Sequence, residues 1–421
     1  MTSFHRLKHR IKKFVVPVLF HGGYYSWRLR KAARTDGEGN SSRCLILMYH
    51  RIIGSNPPGF PLAKRWGITA WPGSGSGFQV RESVNSQYGI SRQNFERQMQ
   101  FLREEMNPIS LSFLVRCLQN RALIPPRSVV VTFDDGYADN YFNAYPVLKK
   151  YGISATIFLV TGYISTGRRF WWDQLRAMVQ QNSDLPMILE KYCLLPPHVV
   201  AKWLSCGPQG CQELAESLIS HIWRNRNMCP DQLINLLSAS PCGEGSCDGA
   251  AHPCDAGRLD GDLASGDYGE YASLTWEQVQ EMSRHDIEFG SHTVSHPNMV
   301  HLSSSKVEEE LRQSKKVIEK HLSRPVEGFA YPIGQGEHYD TRIKALVQKV
   351  GFQYACTAQL GCIYPESWDV LSLNRIPPPN SLPCFVRDIS HYLSIPDPVA
   401  GSIRRTIPPT PLDMGKRGNF Q

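Results

Sequence analysis

The segment VVVTFDDGYADNY, residues 129–141, joins an apolar run to an acidic pair. Its first five residues are apolar or β-branched, which is typical of a strand buried on both faces. Asp134 and Asp135 end that strand and are followed by Gly136. Adjacent carboxylates repel each other, and burying either one without a partner costs free energy. The strand end therefore requires positive charge nearby.

Further apolar, β-branched runs of the same kind occur along the chain. Together with the run above they predict seven strands, at Cys44–Tyr49, Val129–Phe133, Ala155–Val160, Ile287–Gly290, Gly328–Tyr331, Tyr354–Ala358 and Val370–Leu373. Amphipathic helices alternate with most of them, such as residues 303–322, where Ser305 and Glu308 match a capping box. Alternation of strands and helices predicts a mostly parallel sheet, and seven strands favour an α/β fold closed into a (β/α)7 barrel.

Two stretches do not fit the alternating pattern, and both ends of the chain differ in composition from the middle. These features predict a basic extension at 1–42, a barrel over 43–395 with a long loop at 54–90 and an insertion at 165–272, and a Pro-rich basic tail at 396–421. Seven of the 12 cysteines lie in the insertion, and their spacings do not match paired C-x2-C metal sites. We interpret that part as a surface insertion with free thiols.

The charge of the chain is concentrated at its ends. The 421 residues carry a net charge of +8, and 41% of them are hydrophobic, which is typical of a globular protein and gives no indication of a nucleic-acid partner. The apolar run 14–20 is too short to span a bilayer. The basic N-terminus is therefore either an interfacial segment on a membrane or a solvated extension, which favours a cytoplasmic or peripherally membrane-associated protein.

Polar residues follow or end most of the predicted strands. In parallel α/β barrels the carboxyl ends of the strands meet on one face, where active sites are assembled. The residues at these positions are His50, Asp134, Asp135, His292, Tyr331 and Arg375. Core packing does not account for so many polar groups at equivalent ends.

The segment GSHTVSHP, residues 290–297, adds a pair of histidines. His292 and His296 are four apart, a spacing that on a helical turn lets both rings share a metal. A zinc-protease helix would need Glu after the first histidine, and Thr293 occupies that position. One carboxylate of the Asp pair would complete a two-His, one-Asp ligand set, and the other could act as a base.

Three motifs in this order resemble the polysaccharide deacetylase family (carbohydrate esterase family 4, the NodB homology domain). They are TFDDG at 132–136, HTVSH at 292–296 and FAYPIG at 329–334, and the resemblance spans roughly residues 43–164 and 274–376. It implies a distorted NodB-like (β/α)7 barrel. It also implies hydrolysis of N-acetyl or O-acetyl groups on amino sugars or polysaccharides with a divalent metal, most often Zn²⁺, with Co²⁺ or Ni²⁺ as alternatives.

The same resemblance implies roles for individual residues. Asp134 would be the general base, and Ile333 would supply a backbone N–H to the oxyanion. The metal ligands would be Asp135, His292 and His296, and substrate contacts would include Tyr331 and Pro332.

Two positions depart from the pattern of the family. Many members carry Arg where Ala330 stands, so the partner that orients the base is missing. The late L-x-H motif is LNR here, and Arg375 cannot act as an acid near neutral pH. Arg375 could instead fix Asp134 or bind the sugar. His50 resembles the early catalytic histidine of a poly-N-acetylglucosamine deacetylase subgroup, and the alternative is a structural His50 bonded to the backbone.

Trp171 and Trp172 open the large insertion. Their rings could stack on a sugar as a substrate subsite, or they could anchor the insertion to the barrel. We predict a metal-dependent hydrolase that removes N-acetyl groups from an N-acetylglucosamine-containing polysaccharide, oligosaccharide or glycan precursor. Hydrolysis of small non-peptide amides on the same fold, and glycan binding with weakened catalysis, are the alternatives.

Overall fold

The computed structural model describes residues 15–25, 27–29, 43–54, 89–181, 207–224, 271–365 and 368–394. Their strands are β1 (Cys44–Tyr49), β2 (Arg51–Ile53), β3 (Gly89–Ser91), β4 (Asn107–Pro108), β5 (Ser128–Phe133), β6 (Ala155–Leu159), β7 (Ile287–Ser291), β8 (Gly328–Ala330), β9 (Tyr354–Leu360) and β10 (Leu373–Arg375). Their α-helices are α1 (Arg92–Glu105), α2 (Leu111–Gln119), α3 (Tyr145–Tyr151), α4 (Trp171–Gln181), α5 (Gly207–Arg224), α6 (Trp276–Ser283), α7 (Ser304–Leu322), α8 (Thr341–Val350) and α9 (Leu382–Ser394).

Seven parallel strands form the barrel that the sequence predicts. They are hydrogen-bonded in the order β1-β5-β6-β7-β8-β9-β10, and β4 pairs with the first residues of β5. The Met48 N–H donates to the Ile376 carbonyl at 2.9 Å, and the Ile376 N–H donates to the Ile46 carbonyl at 2.8 Å. These two bonds join the residue after β10 to β1 and bring the last strand back to the first. The α/β barrel is therefore confirmed.

The centre of the barrel explains the composition of its strands. Every residue of β5 is buried, because β5 has a strand on either side and side chains packed on both faces. β7 contains Gly290, where a Cβ would lie 2.5 Å from the Phe158 ring of β6. A larger residue at Gly290 would push β6 away from β7. These strands are parallel neighbours, so their carboxyl ends lie side by side at the same end of the barrel.

The last barrel strand and the cap of α7 differ most from the prediction, while the ends of the other barrel strands agree to within two residues. The last barrel strand begins at Leu373 rather than Val370, because the Asp369 side chain accepts a hydrogen bond from the Leu371 N–H at 2.9 Å and holds a turn there. Arg375 consequently lies within β10 rather than beyond it. Helix α7 is capped by Ser303 instead of Ser305, since three consecutive serines offer the same chemistry.

The N-terminal segment and the insertion are described in part. Val16, Tyr25 and Leu29, which lie within residues 15–25 and 27–29, are buried in the main core, and Arg28 bonds to Ser394 of α9. Of the insertion, α4 and α5 are described, and the cysteine-rich stretch falls outside the described side chains. No helix among the described residues has the length and apolar character needed to cross a bilayer.

Candidate metal centre and active site

The two aspartates at the end of β5 face different partners. The Asp134 N–H continues the sheet by donating to the Tyr49 carbonyl at 2.9 Å. Asp135 and Gly136 then both have positive φ, at 74° and 85°, which turns the chain sharply. A Cβ at Gly136 would lie 2.7 Å from Leu159, so the turn also requires glycine for space. This local geometry lets adjacent carboxylates occupy separate environments.

Asp135 meets both histidines of the HTVSH segment. Its Oδ1 lies 3.7 Å from His292 Nε2 and 3.8 Å from His296 Nε2. One ligand atom from each of the three residues lies within 4.8 Å of the others, and all three side chains are buried. Among the described residues Asp135 Oδ1 has no hydrogen-bond partner. A buried carboxylate oxygen that faces two imidazole nitrogens without a bond fits a divalent cation.

The protonation of the histidines suits the same interpretation. His292 Nδ1 donates to the Ala330 carbonyl at 2.7 Å, which leaves Nε2 as the lone-pair donor toward Asp135. Burial lowers the pKa of His292 to about 4 and holds that of His296 well below its usual value. Both rings are therefore neutral at pH 7, which is the form that binds metals. Burial, reinforced by the charge of Asp134, raises the pKa of Asp135 well above its usual value.

The segment that carries the histidines is a bent loop, so the helical turn expected from their spacing is wrong. Thr293 and His296 both have positive φ, at 70° and 58°, which no α-helix contains. Glu310 of α7 holds the loop by accepting the Val294 and Ser295 N–H groups at 2.7 and 3.0 Å. Sequence reasoning missed Glu310, since an acidic residue on a charged helix gives no signal of this contact.

Arg375 forms a two-pronged ion pair with Asp134. Its Nη1 and Nη2 donate to Asp134 Oδ1 and Oδ2 at 2.7 and 2.6 Å, and its Nε donates to the Thr357 carbonyl at 2.8 Å. Arg375 is 0% exposed, so of its two predicted roles the structure favours fixing Asp134 over binding sugar. Burial would raise the pKa of Asp134, but the charge and hydrogen bonds of Arg375 hold it well below its usual value.

His50 lies at the same face, directly after β1. Its side chain is half-buried and close enough to Asp134 and Arg375 for both charges to act on it. Burial is the largest effect and lowers the pKa of His50. The His50 carbonyl accepts a bond from Asn140 Nδ2 at 2.8 Å, which fixes the backbone of this residue at the rim of the site.

The FAYPIG segment, residues 329–334, contributes its backbone rather than exposed side chains to the site. Tyr331 is 1% exposed and its hydroxyl donates to the Leu371 carbonyl at 3.0 Å, so its ring has no surface to offer a substrate. Pro332 is also buried. Ile333 has a φ of 63°, which is rare for a β-branched residue and is the kind of backbone strain that clusters at functional sites.

Trp171 and Trp172 favour the anchoring interpretation over sugar stacking. They are 2% and 5% exposed and belong to a second hydrophobic cluster formed by α4, α5 and the loops beside them. Trp172 nevertheless lies at the site, since its ring centroid is 4.8 Å from that of His296. Their burial leaves no exposed ring face for the substrate contact that we predicted for them.

Comparison with known proteins agrees with this site. A family model described as "Polysaccharide deacetylase" matches residues 124–185 and 264–355. The Bacillus subtilis protein YxkH, named as a polysaccharide deacetylase, is 36% identical over 100 residues, which cover 23% of this chain and 35% of that protein. The poly-beta-1,6-N-acetyl-D-glucosamine N-deacetylase of Staphylococcus aureus is 36% identical over 77 residues, or 18% of this chain and 27% of that one.

The chain thus spans about a third or less of the length of these two relatives. Among solved structures, the Streptococcus pyogenes deacetylase PplD in complex with acetate aligns with a TM-score of 0.48 and 20% identity, covering 85% of this chain and 100% of that one. The two segments matched by the family model contain Asp134, Asp135, His292 and His296. A polysaccharide deacetylase domain is therefore matched in residues 124–185 and 264–355 of this chain.

Proposed function

We propose that this protein is a metal-dependent hydrolase that removes N-acetyl groups from an N-acetylglucosamine-containing polysaccharide, oligosaccharide or glycan precursor. The observation that carries the proposal is the buried group of Asp135, His292 and His296 beside the paired carboxylate of Asp134. The substrate class follows the relative named as a poly-beta-1,6-N-acetyl-D-glucosamine N-deacetylase.

The ion pair of Asp134 weakens the alternative of a glycan-binding relative without catalysis. That alternative rests on Ala330, which leaves the usual position of the orienting arginine empty, and on the missing late histidine. Arg375 supplies the missing guanidinium from β10 and orients both oxygens of Asp134. A base whose two oxygens are fixed in this way is expected in a working hydrolase.

Zn²⁺ is our proposed cation, because two neutral imidazoles and one carboxylate with further positions open form a common catalytic zinc site. Co²⁺ and Ni²⁺ accept the same donors. When bound, the cation would polarise the acetyl carbonyl and lower the pKa of water. Its ligands would be Asp135 and the Nε2 atoms of His292 and His296.

The residues around the cation have separate tasks in amide hydrolysis. Asp134 accepts the proton of the water whose oxygen attacks the carbonyl carbon. The Ile333 N–H donates to the oxygen of that carbonyl as negative charge develops there. His50 donates a proton to the sugar nitrogen as the C–N bond breaks, so the products are acetate and a free amine.

Acetate release tests this proposal directly. The full chain is treated with a chelator, reloaded with Zn²⁺, Co²⁺ or Ni²⁺, and incubated with N-acetylated oligosaccharides that include β-1,6-linked N-acetylglucosamine. We expect acetate from the reloaded protein and none after chelation. Glycan binding without acetate from metal-loaded protein would contradict the proposal, as would acetate from small amides alone.

His50→Ala tests the assignment of the acid. We expect kcat to fall by about 10²–10⁴-fold, as loss of a general acid usually causes, with metal content unchanged because His50 is outside the proposed ligand set. The measurement is kcat on an N-acetylglucosamine oligomer together with the metal bound per chain. A variant that keeps its full kcat would show that His50 is structural.

We further propose that the N-terminal segment makes a peripheral contact with an anionic membrane surface. Its helical residues expose Val18 and Trp27 by 70% and 52%, while Val16 and Leu29 on the other side are buried in the core. Nine Lys or Arg and no acidic residue precede Asp36. Aliphatic and aromatic groups beside a basic run are typical of segments that lie at a lipid interface.

Vesicle flotation measures this contact. The full chain should float with phosphatidylglycerol vesicles more than with phosphatidylcholine vesicles. Val18→Ser combined with Trp27→Ser should reduce flotation, while Leu123→Ser, which alters a side chain 77% exposed elsewhere on the surface, should not. Equal flotation of the double variant and the wild type, or no preference for the anionic vesicles, would contradict the membrane contact.

A further inference from the structure

The two histidines of the proposed metal site are held in different ways. His292 is oriented by the hydrogen bond between its Nδ1 and the Ala330 carbonyl of the barrel, at 2.7 Å. His296 Nδ1 is buried and has no hydrogen-bond partner among the described residues. Metal-binding histidines almost always have their second nitrogen bonded, because that bond fixes the ring. Among the described residues, packing rather than a hydrogen bond therefore holds the His296 ring.

Two aromatic rings from the insertion pack beside His296. The Trp172 ring of α4 lies 4.8 Å from the His296 ring between centroids, and the Trp223 ring of α5 lies 6.0 Å away. Both centroid distances lie in the range of direct ring packing, and the ring planes are tilted by 57° and 44°. Asn298 Nδ2 also donates to the Trp223 carbonyl at 2.6 Å, which fastens the end of α5 to the segment just after His296.

Trp172 is itself fixed by a chain of hydrogen bonds. Its Nε1 donates to the Tyr137 hydroxyl at 2.7 Å, and that hydroxyl donates to Asp173 Oδ2 at 2.7 Å. Arg176 then links Asp173 to Glu216 of α5 with bonds of 2.8 Å to each. Tyr137 follows Asp135 by two residues in the chain. Its hydroxyl therefore connects the turn that carries the proposed ligand Asp135 to Trp172, the ring that packs on the proposed ligand His296.

From these contacts we infer that the insertion contributes to the metal site through Trp172, which positions His296 for the cation. The inference rests on the proposed function, because it assigns His296 a metal. It gives the insertion a role that the barrel alone does not fill. Without the Trp172 ring, the His296 imidazole would rotate among rotamers and lose its alignment with Asp135.

The test is Co²⁺ titration of chelated, full-length protein, followed by the visible absorption of the bound ion. Trp172→Ala should weaken Co²⁺ binding by about 10–100-fold, the usual effect of losing an outer-shell partner, and alter the spectrum. Trp172→Phe should stay close to wild type, because a ring remains against His296. Tyr137→Phe should fall between them, because it cuts the bond to Trp172 Nε1 but leaves both rings.

Leu218→Ala is the matched control, since Leu218 is a fully packed residue of α5 in the same hydrophobic cluster. It should lower Tm without changing Co²⁺ affinity. Equal affinity of Trp172→Ala and wild type would overturn the inference, as would equal losses in Trp172→Ala and Leu218→Ala. If Trp172→Ala does not fold, unchanged affinity in Tyr137→Phe overturns it. Failure of the wild type to bind Co²⁺ would instead refute the proposed function.

Discussion

Arg375→Met is expected to destabilise the metal-free protein by about 3–5 kcal/mol, which is the usual result of removing one partner of a buried ion pair. Arg375 and Asp134 are both buried, and the two guanidinium bonds of 2.6 and 2.7 Å are replaced by an apolar chain. Asp134 would then be a buried carboxylate without its counter-charge. Urea unfolding of both proteins at pH 7 measures the difference.

The pH dependence of that difference identifies its cause. The folded pKa of Asp134 is depressed, so the pair contributes stability that is present above the unfolded pKa of about 4 and is lost as pH falls through the folded pKa. The wild type should therefore lose its advantage over Arg375→Met in acid. Adding Asp134→Asn to the variant should recover part of the stability. A difference that is independent of pH would contradict the account.

Asp135→Ala and His292→Ala are expected to lose the bound cation and, with it, all measurable acetate release. Each removes one of three donors that the structure brings within 4.8 Å of one another. Catalytic zinc sites use three protein ligands, so the two remaining donors would not hold the ion. Metal bound per chain after zinc loading and dialysis measures the effect.

His321→Ala is the control for these variants. His321 stacks on Trp276 at 4.0 Å, on the C-terminal turn of α7 and outside the site. It should keep one metal per chain. Zinc content equal to wild type in Asp135→Ala would show that the cation is held elsewhere.

The barrel could be predicted from local sequence patterns. The hydrophobic pattern and the length of β1, β5 and β6 are visible within a few consecutive residues. The ends of these three strands were therefore predicted to within one residue. The position of Asp134 and Asp135 at a strand end followed from the same pattern. The last strand was misplaced, because the turn that begins at Asp369 takes up the first residues of the apolar run Val370–Leu373. That run has no glycine or proline to indicate a turn.

The finer geometry of the site could not be predicted in the same way. The residue types of Thr293 and His296 do not specify a positive φ, and the loop depends on Glu310, which lies on the separate element α7. The contact between Trp172 and His296 joins segments more than 100 residues apart. Such contacts are decided by how the insertion packs on the barrel, and the spacing of motifs carries no information about that packing.

Anomalous diffraction at the zinc edge, from crystals of the zinc-loaded protein, would locate the cation and so test the proposed ligand set. We expect one strong peak within about 2.3 Å of Asp135 Oδ1 and of the Nε2 atoms of His292 and His296, as zinc–ligand bonds require. Asp134 should remain paired with Arg375 beside that peak. A zinc-loaded crystal with no peak among these three side chains would show that they do not bind the cation.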